Sequence, residues 1–111
     1  MGSRRLCLAV AAALLMVISL AGCGGGDNKK VTVGVKFDQP GLGMKNPDGS
    51  VTGFDVDVAT FVAQQLGYQP DEIEWKEAPS GQRENLIQSG QVKYIVATSS
   101  ITTERGQKVA C

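Results

Sequence analysis

From Val31 onward, short apolar runs alternate with longer stretches whose apolar residues recur every three or four positions, a pattern of strands joined by helices. "VTVGVKF", Val31–Phe37, predicts a first strand. "KNPDGS", Lys45–Ser50, holds the Pro, Asp and Gly of a tight turn and predicts a join between two short extended pieces ahead of Gly53. In "GFDVDVATFVAQQLG", Phe54, Val58, Phe61, Val62 and Leu66 fall at helical spacing and form the stripe of an expected amphipathic helix. Asp55 and Asp57 lie in its first turn, where carboxylates complement the helix dipole, and Gly67 marks its end. "IEWKEA", Ile73–Ala78, alternates as a second strand with Ile73 and Trp75 on one face, and "SGQRENLIQSG", Ser80–Gly90, reads as a short helix capped by Ser80. "VKYIVA", Val92–Ala97, is apolar except at Lys93, as expected of a parallel strand covered on both faces. A further helix is expected to begin near Thr102. The whole predicts an α/β fold with a mainly parallel three-stranded sheet flanked by helices.

The chain before Val31 has a different pattern. "MGSRR" is a basic start and "LCLAVAAALLMVISLAG" an apolar run ending in small residues, the layout of an export signal over residues 1–22. The run is short for a spanning helix, which needs about 20 apolar residues. Leu6 stands where N-myristoylation requires Ser or Thr. "LAGC", Leu20–Cys23, resembles the lipobox of bacterial lipoproteins, and that resemblance implies a diacylglycerol on the Cys23 sulfur and an anchor in the membrane. "GGGDNKK", Gly24–Lys30, then reads as the flexible tether such an anchor requires, so that residues 23–30 form the lipidated cysteine and tether and residues 31–111 the folded part. With Cys7 leaving in the signal and Cys23 lipidated, Cys111 has no disulfide partner.

Length and charge narrow the function classes. A chain of 111 residues, less its leader, supplies at most one small domain. Its 11 basic and 11 acidic residues balance; removing Arg4 and Arg5 leaves nine against 11, a net charge of −2 that suggests no nucleic-acid partner. Histidine is absent, which excludes His-based triads and Cys/His zinc patterns. No cofactor or metal is expected.

The remaining chemistry falls where the strands end. In open α/β sheets, ligands sit beyond the carboxyl ends of the strands. Lys36 lies near the end of the first predicted strand, Ser80 and Arg83 follow the second, and Thr98 and Ser100 follow the third. Arg105 comes one turn into the last predicted helix. A guanidinium beside free N–H groups and hydroxyls suits a carboxylate, because the planar fork of arginine reaches both oxygens. Blander roles stay open for each residue: a helix-surface pair for Arg105, solvated lysine and arginine faces for Lys36 and Arg83, and capping hydroxyls for Thr98 and Ser100.

With "GSVTGFDVDVATFVAQQLG", "IEWKEAPSGQRENLIQSGQV" and "IVATSSITTERGQKV" in this order, the chain from Val31 to Lys108 resembles the first lobe of amino-acid receptors of ABC importers, the type II periplasmic binding proteins. The likeness is strongest to the glutamate-binding branch. It implies that Arg105 pairs with a ligand α-carboxylate and that Thr98 and Ser100 add contacts to the same amino acid. It also implies that Lys36 and Arg83, with Ser80 nearby, face a side-chain carboxylate, favouring glutamate or aspartate over glutamine. The implied protein is a non-enzymatic, extracytoplasmic, lipid-anchored receptor whose partners are an amino acid and ABC permease subunits. Lys93 replaces a usual acidic residue, and Ser99 stands where an aromatic is common. The family continues beyond "ERGQKV" into a second, closing lobe, so this chain is expected to carry an incomplete first lobe that binds weakly or not at all alone. A sensor lobe without a transport role, or a gene fragment, is the alternative; an enzyme lacks support, with no histidine and no second carboxylate site.

Overall fold

The computed structural model describes residues 29–111; the expected export signal, Cys23 and residues 24–28 of the expected tether lie outside the described residues. Lys29 and Lys30, at the end of that tether, touch the folded part. Lys29 Nζ donates to the Gly67 carbonyl at 2.7 Å and lies 4.9 Å from the centre of the Tyr68 ring, while Lys30 pairs with Glu74 at 3.4 Å.

β1, Val31–Val35, is the central strand of a parallel sheet, with β5, Ile73–Glu77, on one side and β6, Tyr94–Ile95, on the other. The register sets Val31 against Ile73 and Val33 against both Trp75 and Tyr94. The parallel arrangement expected from the strand–helix alternation is therefore present. Side chains alternate across the pleat. Val31, Val33 and Val35 join Val56, Ala59 and Ala63 on one face, and Ala78, Leu86 and Val92 cluster separately with Ile87 and Ile95. Val33 and Val35 are fully buried, each removal from water stabilising the fold by about 1.5–3 kcal/mol.

Between β1 and the long helix runs a second, antiparallel sheet of β2, Asp38–Gln39, β3, Gly43–Lys45, and β4, Val51–Thr52. The expected turn joins β3 to β4: the Gly49 N–H donates to the Asn46 carbonyl at 2.9 Å, and the Asp48 carboxylate accepts from the Ser50 hydroxyl at 2.6 Å. β2 has no counterpart in the sequence reading, because two residues carry no periodicity.

The first helix, α1, spans Phe54–Gln65. Its buried face differs from the expected stripe. Asp55, Val56, Ala59 and Ala63 face inward, while Phe54, Phe61 and Leu66 are 65%, 60% and 51% exposed. The small side chains of Ala59 and Ala63 permit close approach of helix to sheet, and Tyr94 of β6 reaches across to donate its hydroxyl to the Ala59 carbonyl at 2.6 Å. Asp55, expected only to complement the helix dipole, is buried, with its Oδ2 lacking a hydrogen-bond partner among the described residues.

α2, Arg83–Gln88, follows β5. Ser80 does not cap it; the residue preceding the helix is Gln82, no side-chain cap is present, and Ser80 lies exposed in a turn closed by Gln82 N–H to Pro79 O at 3.0 Å. A hydroxyl three residues before the helix is too far back to reach its first free N–H groups. β6 is also shorter than the expected Val92–Ala97, although Lys93 N–H and Val96 N–H extend the bonding to Thr32 O and Gly34 O of β1. It is an edge of the described sheet, so Tyr94–Ala97 are half-buried rather than covered on both faces. α3, Thr103–Gly106, starts where expected, with the Thr102 hydroxyl accepting from the Arg105 N–H at 3.1 Å.

Candidate functional site

Because β1, β5 and β6 are parallel, the segments leaving them emerge at one edge. Arg83 opens α2 there and is only 5% exposed. Its Nε donates to the Ala78 carbonyl at 3.2 Å and its Nη1 to the Thr98 carbonyl at 2.6 Å, linking the ends of β5 and β6. Its buried Nη2 has no partner among the described residues. Burial, followed by the neighbouring Arg105 cation, lowers the proton affinity of Arg83, whereas the charges of Glu84 and Asp55 oppose that shift.

The Arg105 guanidinium turns back toward the loop after β6. Nη1 donates to the Ser99 hydroxyl at 3.1 Å and to the Ser100 carbonyl, and Nε pairs with the Glu84 carboxylate at 2.5 Å. Arg105 thus makes no i,i+4 pair on its own short helix; its acidic partner comes from α2. Two cavities adjoin this pair. One, of about 190 Å³, is walled largely by apolar residues including Ile87, Ile95 and Ile101, with Arg83 at its edge; the other, of about 260 Å³, is more polar and includes Ser80, Thr102 and Lys108. Glu84 and Arg105 line both.

Of the candidate residues, Ser80, Arg83, Ser100 and Arg105 therefore surround these adjoining spaces, and Thr98 joins them through its carbonyl on Arg83. The Thr98 hydroxyl instead donates to Gln39 Oε1 at 3.1 Å. Lys36 lines neither cavity and pairs with Asp38 at 3.2 Å. Sequence reading missed Gln39 and Glu84 as neighbours of the site, since their partners lie 59 and 21 residues away along the chain. It also placed Phe54 in an apolar stripe, whereas the ring is exposed at the start of α1, whose Phe54 N–H donates to the Gly41 carbonyl at 2.9 Å. Neighbouring large exposed apolar residues in an otherwise regular stripe give no local signal of which face turns outward.

Two guanidinium groups thus lie at this sheet edge, Arg83 donating to the Ala78 and Thr98 carbonyls and Arg105 engaged by Ser99, Ser100 and Glu84. No group of three or more metal-ligating side chains occurs among the described residues, and no described helix is long and apolar enough to cross a membrane. The hydrogen bond from Arg105, above all other causes, holds the Glu84 carboxyl below its usual range. A carboxyl depressed in the folded state contributes stability above its unfolded value near 4.3 and loses that contribution as pH falls through the lower folded value. The Arg105 Nε–H chemical shift in nitrogen–proton NMR is accordingly expected to stay constant while Glu84 is ionised and to move as pH falls through the lowered folded value; an unmoved shift throughout the acid range contradicts the pairing.

Comparison with known proteins gives the family and the fold. Residues 31–111 match the family of bacterial extracellular solute-binding proteins, family 3. The glutamate-binding protein GluB of Corynebacterium efficiens is 47% identical over 119 aligned residues, covering 95% of this chain and 40% of GluB. The ABC transporter glutamine-binding protein GlnH of Bacillus subtilis is 39% identical, covering 75% of this chain and 31% of its own length. A solved solute receptor for L-cysteine from Neisseria gonorrhoeae shares the fold, with a TM-score of 0.69 and 31% identity over 75% of this chain and 34% of that one. The chain therefore spans about 40% or less of the length of these relatives. With its parallel sheet and the matched residues 31–111, the chain belongs to the bacterial extracellular solute-binding proteins, family 3, a family of non-enzymatic binding proteins with the type II periplasmic-binding-protein fold.

Proposed function

We propose that this chain supplies first-lobe ligand contacts of an extracytoplasmic receptor that delivers an acidic amino acid, glutamate before aspartate, to an ABC permease. The observation that carries the reading is the Arg105 guanidinium, held by Ser99 and Ser100 beside the buried Arg83 at the end of a parallel sheet. Arg105 is the anchor for the α-carboxylate. Ser100 and Thr98 shape that end of the site.

Specificity rests on the second acid group. Arg83 Nη2 is buried without a hydrogen-bond partner among the described residues, and a ligand carboxylate supplies that bond and adds a charge to those of Glu84 and Asp55, with Ser80 on the adjoining turn. Lys36 adds positive charge at the same sheet edge after releasing Asp38. A neutral glutamine side chain offers an oxygen but no charge, so glutamate is favoured. The 47% identity to a glutamate-binding protein supports this choice, against 39% to a glutamine-binding one.

In the same proposal residues 1–22 are an export signal, Cys23 carries the lipid anchor, residues 23–30 tether it, and residues 31–111 form part of the first lobe. One wall of a closing receptor leaves the ligand in water, where an exposed ion pair contributes about 0–1 kcal/mol, far below the about 8 kcal/mol of micromolar affinity. NMR titration of the chain with L-glutamate is expected to shift signals of Ser99–Arg105, with half-saturation at about 1 mM or above. Arg105→Lys loses the planar fork and is expected to weaken binding at least about tenfold. Tight micromolar binding refutes the one-wall argument, and binding unaffected by Arg105→Lys refutes the anchor.

A further inference from the structure

We propose that Glu84 is an internal carboxylate that occupies the Arg105 fork in the unliganded chain, so that an incoming acid group binds by exchange with it. This rests on Arg105 being the carboxylate anchor. A guanidinium presents two edges to a planar acid: Nε with Nη2, and Nη1 with Nη2. Glu84 takes Nε at 2.5 Å, and Ser99 and Ser100 take Nη1. Both edges therefore already have one member engaged, and a ligand carboxylate gains a bidentate edge once Glu84 withdraws.

The surroundings suit exchange better than a permanent bond. The Arg105 and Glu84 side chains are 23% and 19% exposed, so water and ligand reach the pair. Glu84 and Arg105 are the two residues common to the apolar and polar cavities, and parting them opens one space into the other. The polar cavity also holds Lys108, which offers the released Glu84 carboxylate a cation in place of Arg105. Glu104, the present partner of Lys108 at 3.3 Å, is well exposed and easily separated from it.

The test compares the unaltered chain with Glu84→Gln, which keeps shape and removes the competing charge, by NMR titration with L-glutamate. Exchange predicts about tenfold tighter half-saturation in Glu84→Gln, and a Glu84 carboxyl-carbon resonance in the unaltered chain that moves as ligand saturates. Equal or weaker binding by Glu84→Gln, with the unaltered chain still binding in an Arg105-dependent way, overturns the exchange and leaves the anchor standing. No binding by either chain overturns both. Should Glu84→Gln fail to fold, the carboxyl resonance decides: movement supports exchange, and a static signal at saturation overturns it.

Discussion

Gly53→Ala is expected to remove most of the stability of the folded part, lowering its melting temperature by about 15 °C or more. Gly53 has φ of +134°, a region that side-chain-bearing residues avoid at a cost of about 1–3 kcal/mol. The larger effect is steric: a Cβ there lies 2.2 Å from the Leu42 carbonyl oxygen and 3.0 Å from the Gly43 nitrogen. That crowding is built into the start of α1. No side chain caps the helix, and its Phe54 and Asp55 N–H groups are instead satisfied at 2.9 Å by the Gly41 and Leu42 carbonyls. Moving the Leu42 loop away to admit the methyl group breaks those bonds and displaces Phe54 and Asp55 at the start of α1. Gly81→Ala is the control, because nothing lies within 4 Å of its Cβ position and its φ is not in the left-handed region. Thermal unfolding followed by far-UV circular dichroism distinguishes them; a Gly53→Ala melt within about 3 °C of the unaltered chain contradicts the assigned backbone.

Arg83→Met is expected to destabilise the chain by about 2 kcal/mol and to abolish preference for glutamate over glutamine. Methionine fills much of the space but leaves the Ala78 and Thr98 carbonyls without the donor that joins them. Ala78 is fully buried, and its carbonyl deprived of a partner costs about 1–3 kcal/mol, whereas Thr98 is exposed and water replaces its donor; removing Nη2, which has no partner among the described residues, offsets part of that cost. The structural effect is expected in the Val96–Ser100 segment, where amide hydrogen exchange accelerates while that of Val33 in the central strand changes less. Arg83→Lys separates the two roles: it keeps a positive charge but cannot reach both carbonyls with a planar fork. It should therefore retain part of the glutamate preference while losing the structural tie. Unchanged exchange in Arg83→Met would show that the guanidinium does not link the strands.

These expectations depend on features of unequal legibility. The parallel strands of "VTVGVKF" and "IEWKEA" were readable because alternation and apolar runs report burial directly. The turn at Lys45–Ser50 and the start of α3 were readable from turn and cap chemistry within a few residues. The inward face of α1 was not. Phe54, Phe61 and Leu66 are more apolar than Ala59 and Ala63, yet the fold turns the alanines inward because a helix lying close on β1 requires small contact residues. Counting apolar residues weighs side-chain size as burial; close packing at a helix–sheet contact reverses that weight.

The candidate site divides in the same way. Arg105, Ser100, Arg83 and Thr98 could be gathered from sequence because strand ends in a parallel sheet share one edge. Their orientations could not. Thr98 uses its carbonyl toward Arg83 and its hydroxyl toward Gln39, and Lys36 turns to Asp38. The amino-acid order by itself determined the alternation of strands and helices and the cations at their ends, since these follow from local periodicity and residue chemistry. Only the tertiary structure decided that Glu84 meets Arg105 and that Arg83 bridges two strand ends, because each contact joins segments whose approach is set by the packing of the whole sheet.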